Sequence, residues 1–239
     1  MEELKRTEML FGKEKVDKLL TKRVIVFGIG GVGGYTCEAL ARTGIGTIDL
    51  VDNDTVALSN INRQIIALQS TVGKYKTEVM RDRIKDINPK IQVNLFTEFY
   101  TKEMIEKFDF TGYDYIVDAI DTVSSKIALV EKADKLGIPI ISAMGAGNKK
   151  DPCAFKVSDI YKTSVCPLAR VMRQKLKEKG IKHLKVVYSE EKPSSAETEK
   201  ENGRLTPASC AFVPSVAGLI LASEVIKDLM PDGSETNQP

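Results

Sequence analysis

At 239 residues, with 42% hydrophobic and 28% charged side chains, the chain is long enough for one substantial core and reads as a single domain with an appended lobe. Its net charge of +2 identifies no partner, because the basic residues are unevenly placed. Cys37, Cys153, Cys166 and Cys210 are scattered without a C-x-x-C pair, which argues against a zinc clip and a disulfide framework and suits a reducing cytosol. The charged, amphipathic start MEELKRTEML is no secretory signal, and the longest apolar stretch, 208–221, is broken by Pro214 and Gly218. The expectation is a soluble cytoplasmic protein with no membrane partner.

Residues 2–20 predict two short helices broken at Gly12, forming a helical arm over 1–22. A buried strand over 24–27 leads into a glycine-rich turn and a helix over 35–42, and 47–51 is a second strand. A helix over 72–87 ends at Asn88-Pro89, followed by a strand over 91–96 and a short helix over 102–108. Residues 113–120 read as another buried strand, 124–136 as a helix and 138–142 as a strand. Such alternation builds an α/β fold, a Rossmann-like doubly wound sheet with a parallel nucleotide-binding half over 23–147.

After residue 147 the pattern changes to a strand (154–160), a basic helix (167–179) and a short strand (185–188). This mixed, antiparallel extension over 148–230 is expected to face the substrate. Residues 189–204 have almost no apolar side chains and predict a mobile loop; 215–229 should pack back as a helix, and 231–239 reads as a disordered tail.

The first strand and its helix flank Gly28, Gly30, Gly31 and Gly33. Glycine allows a sharp turn and close approach to a phosphate, while a helix N-terminus offers free N–H groups. Asp52, at the end of the second strand, stands about where such a unit holds a ribose. Asp54, Asn60, Arg63, Gln64 and Lys76 follow. Alone, Arg63 or Lys76 is an ordinary solvated charge. Together they can neutralise the β- and γ-phosphates of a nucleoside triphosphate, which a nicotinamide-dependent oxidoreductase does not require. Asp121, at the end of 113–120, can hold Mg²⁺ or else cap the following helix.

The ordered strings GIGGVG, VDNDTVALSNINRQ, VGKYK and VDAIDT resemble the ubiquitin-activating-enzyme-like family, which includes the activators of the thiamine and molybdopterin sulfur carriers. The resemblance implies ATP and Mg²⁺ as cofactors and a carboxylate adenylated at the α-phosphate. It places Gly31 and its neighbours at the phosphates, Asp52 at the ribose, Asn60, Arg63, Gln64 and Lys76 on phosphate oxygens, and Asp121 on the metal. Arg6 matches an arginine that reaches the γ-phosphate of the other subunit in a homodimer. The sulfur-carrier activators usually carry two C-x-x-C pairs, absent here.

RTEMLFG, VGKYKTEVMRDRIKDINP, DAIDTVSSK and GAGNKKDP, followed by VSDIYKTSVCPLARVMRQKLKEKGI, are similar to the subgroup acting on threonylcarbamoyladenosine in tRNA. That similarity implies dehydration of the nucleoside by ring closure. It leaves room for a monovalent cation, K⁺ or Na⁺, and for a sulfur-transfer-type accessory protein. The alternative within the family is adenylation of the C-terminal glycine of a ubiquitin-like or sulfur-carrier protein; a non-catalytic ATP-dependent tRNA-binding module is a further rival.

A tRNA partner suits the basic segment, in which Arg170, Arg173, Lys175, Lys177 and Lys182 offer phosphate contacts without base readout. Cys166, before Pro167 at a helix start, is the cysteine best placed to carry a thioester, although intramolecular ring closure needs none. His183, the sole histidine, belongs to the basic run rather than to a general base.

Overall fold

Val24, Ile25, Val26 and Phe27 are buried on both faces of the sheet, as a β-branched and aromatic run in a parallel strand requires. The computed structural model describes residues 2–98, 100–194, 200–201, 204–205 and 207–231. Strands β1 (Arg23–Phe27), β2 (Thr47–Val51), β3 (Gln92–Phe96), β4 (Tyr115–Asp118), β5 (Ile140–Ala143), β6 (Phe155–Asp159) and β7 (Lys185–Ser189) form one sheet. Their order is β3-β2-β1-β4-β5-β7-β6. Every pairing from β3 to β7 is parallel, and β6 alone runs antiparallel, at the edge. The expected parallel half with a mixed extension is what forms, and the order reverses between β1 and β4.

The helical arm is α1 (Lys5–Phe11) and α2 (Lys13–Leu19), broken at Gly12, whose φ is 87°. The other helices are α3 (Gly33–Thr43), α4 (Lys76–Ile87), α5 (Lys102–Lys107), α6 (Val123–Leu136), α7 (Pro167–Glu178) and α8 (Phe212–Leu229). Helices α3 and α6 end on left-handed Gly44 and Gly137. Helix α8 returns across α3 at backbone contact: a Cβ on Gly218 would lie 2.2 Å from the Val32 carbonyl. The Thr36 hydroxyl donates to the Gly218 carbonyl (3.0 Å), so the C-terminal helix braces the glycine turn. Among the described residues, no helix is long and apolar enough to cross a membrane.

Three expectations shift. The helix predicted from residue 72 starts at Lys76, because 73–76 pair with 54–56 through Gly73 N–H to Val56 O, Val56 N–H to Lys74 O and Lys76 N–H to Asp54 O. The strand predicted over 113–120 stops at Asp118, since 119–122 leave the ladder to line the site. The loop expected over 189–204 carries a two-stranded antiparallel hairpin, β8 (Lys200–Glu201) with β9 (Arg204–Leu205). The tail expected to be disordered lies, beyond Pro231, outside the described residues.

Candidate active site

A cleft of about 500 Å³ opens at the C-terminal ends of β1, β2 and β4, at the point where strand order reverses. Gly28, Gly30 and Gly31 line one side, Asp52, Asp54, Asn60, Arg63, Gln64 and Lys76 another, and Asp121 a third. Residues far apart in the chain thus meet as the sequence pattern implied. Gly33 does not line the cleft; its Cβ would fall 1.8 Å from the Gly28 carbonyl, so it serves helix–strand packing. Gly28 sits at φ +88°, with Ala119 O only 2.6 Å from an added Cβ.

Charge is concentrated around Lys76, the first residue of α4. Its Nζ lies 2.7 Å from Asp54 Oδ2 and 3.9 Å from Asp52 Oδ1, with 7% of the side chain exposed against 61% for Asp54. Asp52 accepts the Ile29 N–H (2.7 Å) and the Asp54 N–H (2.9 Å), so it also sets the shape of the glycine turn. Burial raises the Asp52 carboxyl above its usual range, against the downward pull of Lys76. Arg63 Nη1 donates to Ser59 O and Asn62 Oδ1, both at 2.9 Å. Asn60 Oδ1 accepts the Ala57 N–H (3.1 Å).

Gln64 Oε1 is a buried acceptor with no partner among the described residues, on a side chain that lines the cleft. Such an atom is costly unless something bonds to it, which fits a polar ligand. No three His, Cys, Asp or Glu side chains cluster as a metal cage among the described residues. Asp121 faces the cleft beside the phosphate-binding candidates, and one carboxylate plus phosphate oxygens is the usual environment of Mg²⁺. The N-cap of α6 is Thr122, so Asp121 is not spent as the helix cap.

The loop 119–122 rests on a buried ion pair that the motif reading missed. Asp118 and Lys126 are both fully buried, with Nζ 3.0 Å from Oδ2. Lys126 Nζ also donates to Ile120 O (3.0 Å), Asp118 Oδ1 accepts the Ile120 N–H (3.2 Å), and the Ser142 hydroxyl donates to Asp118. The loop bearing Asp121 is therefore held from below on both backbone groups of Ile120. A carboxylate in VDAID followed eight residues later by a lysine was the available signal. Phe27, Val51 and Tyr100 add an apolar and aromatic wall, with Phe27 and Tyr100 edge to face at 5.8 Å.

A family match runs over residues 4–239. The chain belongs to the ThiF family. It is 44% identical over 244 residues to a Bacillus subtilis protein named tRNA threonylcarbamoyladenosine dehydratase, covering 97% of this chain and 96% of that one. The protein of the same name from Escherichia coli is 43% identical over 171 residues, 72% of this chain and 64% of that one. A crystal structure of the E. coli tRNA N6-threonylcarbamoyladenosine dehydratase in complex with ATP superposes with a TM-score of 0.88 at 35% identity, covering 96% and 94% of the two chains.

The other candidates separate by position within this ThiF fold. Arg6 is exposed on α1 and does not line the cleft of its own chain. Cys166 is buried at the start of α7 and lines neither the cleft nor the cavity beside it, and Cys37 is buried with its thiol pushed far up by desolvation. Of the basic run, Arg173 is not a free cation: it donates to Thr163 O (2.8 Å) and to the Thr163 hydroxyl, bracing the turn before α7. Lys175 pairs with Glu178 at 3.0 Å. Arg170, Lys177 and Lys182 are exposed. His183 is 86% exposed, 3.4 Å from Asp159.

Proposed function

We propose that this chain dehydrates N6-threonylcarbamoyladenosine in tRNA, with ATP as the activating substrate. The 44% identity to the B. subtilis dehydratase, extending over nearly the whole of both chains, carries the reading, in a chain whose cleft gathers Asp52, Arg63, Gln64, Lys76 and Asp121. A threonyl carboxylate oxygen attacks the α-phosphorus and pyrophosphate leaves. The carbamoyl group then attacks the activated carbonyl carbon and loses a proton, and AMP departs with one former carboxylate oxygen. The nucleoside is lighter by one water.

Asp52 would hold the ribose, while Gly30 and Gly31 bring backbone close to the phosphates. Asn60, Arg63, Gln64 and Lys76 stabilise charge on the departing pyrophosphate. Asp121 would hold Mg²⁺, which supplies charge neutralisation when bound. Arg6, exposed on α1 beside exposed Met9 and Leu10, would complete the site of a second copy in a homodimer. Residues 23–147 bind nucleotide and 148–230 face tRNA, with Arg170, Lys177 and Lys182 touching its backbone.

Incubation with ATP, Mg²⁺ and tRNA bearing threonylcarbamoyladenosine, followed by digestion and mass spectrometry, should show loss of one water from that nucleoside. An unchanged nucleoside, with pyrophosphate exchange only when a Gly-Gly-tailed carrier is added, would sink the reading.

The Asp52 environment sets a pH dependence. Its raised pKa means the folded state holds this proton more tightly than the unfolded chain does, so the contribution to stability falls as pH rises through the window above the ordinary carboxylate value. Ribose hydroxyls bond best to the ionised form, so ATP affinity should weaken as pH falls from neutral toward about 4, sooner than for an ordinary aspartate. Calorimetric titration with ATP across that range should show this limb in the wild type and flatten it in Asp52→Asn. Identical profiles would refute it.

A further inference from the structure

A second cavity, of about 260 Å³, opens beside the nucleotide cleft and shares Gly30, Gly31, Arg63, Ala119, Ile120 and Asp121 with it. Its remaining walls are Ala143 at the end of β5, Met144, Ala146 and Gly147 after it, and Val32, Pro207, Ser209 and Pro214. Resting on the dehydration reading above, we propose that this cavity is the acyl pocket, receiving the threonylcarbamoyl group while the nucleoside stays outside.

Size, position and chemistry converge. With roughly 30 Å³ per water molecule, the cavity holds a small amino-acid-sized group and not a nucleoside as well. In-line attack at the α-phosphorus requires the carboxylate on the side away from the departing pyrophosphate. The shared glycine turn, Gly30 and Gly31, which brings backbone close to the phosphates, marks that junction. There the carboxylate oxygen bonds to phosphorus as the bond to the pyrophosphate oxygen breaks. The acyl carbon then lies in the second cavity and AMP in the first. The carbamoyl group, confined with that carbon, closes the ring, loses a proton and releases AMP.

The pocket is built rather than incidental. The Asn62 side-chain amide donates to Ser209 O (3.1 Å), tying the segment before α8 to the turn that carries Arg63. Asn148, at φ 58°, clamps Ala208 twice, through Asn148 N–H to Ala208 O (2.8 Å) and Ala208 N–H to Asn148 Oδ1 (2.7 Å). A Cβ on Gly147 would meet Pro207 at 2.6 Å, so the two walls touch. Alanines and glycine leave the space open, and Met144 and Ala146 suit the threonyl methyl. Among the described residues, Ser209 brings the one polar side chain in the lining beyond Arg63 and Asp121, matched to the threonyl hydroxyl.

The test uses Ala146→Leu and Ser209→Phe, which fill the pocket from two different segments, together with Ser209→Ala. ATP affinity, read by calorimetry, should stay within about twofold of wild type in all three, while dehydration at saturating ATP falls at least about tenfold in the filled variants. Ser209→Ala should raise KM for threonylcarbamoyl-tRNA about fivefold, the loss of one hydrogen bond, and leave a glycylcarbamoyl-tRNA analogue unaffected. Near-normal turnover in a folded Ala146→Leu or Ser209→Phe variant overturns the proposal, as does an equal KM change for both tRNAs. Loss of ATP binding in step with turnover would assign the cavity to the nucleotide and overturn it too. If the wild type converts its tRNA and these outcomes fail, the pocket alone is wrong. If the wild type converts nothing, the dehydration reading is wrong and the pocket falls with it.

Discussion

Lys76→Ala should cut kcat/KM for ATP-dependent dehydration by about 10³-fold, on the scale of losing one cation that stabilises a transferring phosphoryl group. The expectation follows from where Lys76 sits. Its stem is buried at the first turn of α4, and its ammonium lies between Asp52 and Asp54 on the cleft wall. A triphosphate entering there offers more negative charge than the exposed Asp54 carboxylate, and the buried position screens the interaction little. Folding should suffer far less, because the pair with Asp54 is largely solvated on the acidic side. Pyrophosphate release, tRNA dehydration and a thermal melt, run together, decide the matter. Turnover within about threefold of wild type would remove Lys76 from the mechanism. Lys76→Arg should recover part of the rate, since the charge is kept and its position is not.

Much of this site was legible in the chain because its parts are local signals. Gly28, Gly30 and Asp52 announce themselves by following short apolar strands, and a parallel sheet with right-handed crossovers must bring those strand ends together. The sheet itself was readable for the same reason: β1, β2 and β4 are buried on both faces and appear as short, mostly apolar runs, β2 interrupted by Asp49, which is buried and paired with Arg23. What escaped was whatever depends on pairing across distance. The start of α4 is set by 73–76 bonding to 54–56, which no propensity within 72–76 reveals. Arg173 reads as a phosphate ligand by composition, yet a carbonyl ten residues earlier claims it. The second cavity is made by β5, the segment before α8 and the glycine turn at once. No single stretch could have shown it.

The largest effect on stability is expected at Lys126, a residue that touches neither cavity. Lys126→Met should destabilise the fold by about 3–5 kcal/mol, because Asp118 is left as a buried charge whose counter-ion is gone. Both partners are fully buried, so water cannot compensate either one. The loss should also reach the site. Lys126 holds Ile120 O, and Ile120 N–H bonds to Asp118, so the loop presenting Asp121 loses its support. Asp118→Asn combined with Lys126→Met removes the uncompensated charge and should recover most of the stability, while the loop still lacks its donor at Ile120. The two effects therefore separate. Urea unfolding should show strong non-additivity between the substitutions, whereas ATP affinity should stay weakened in the double variant. Additive stability losses would mean that the pair is not coupled, and full recovery of ATP binding would mean that the loop is held by something other than Lys126.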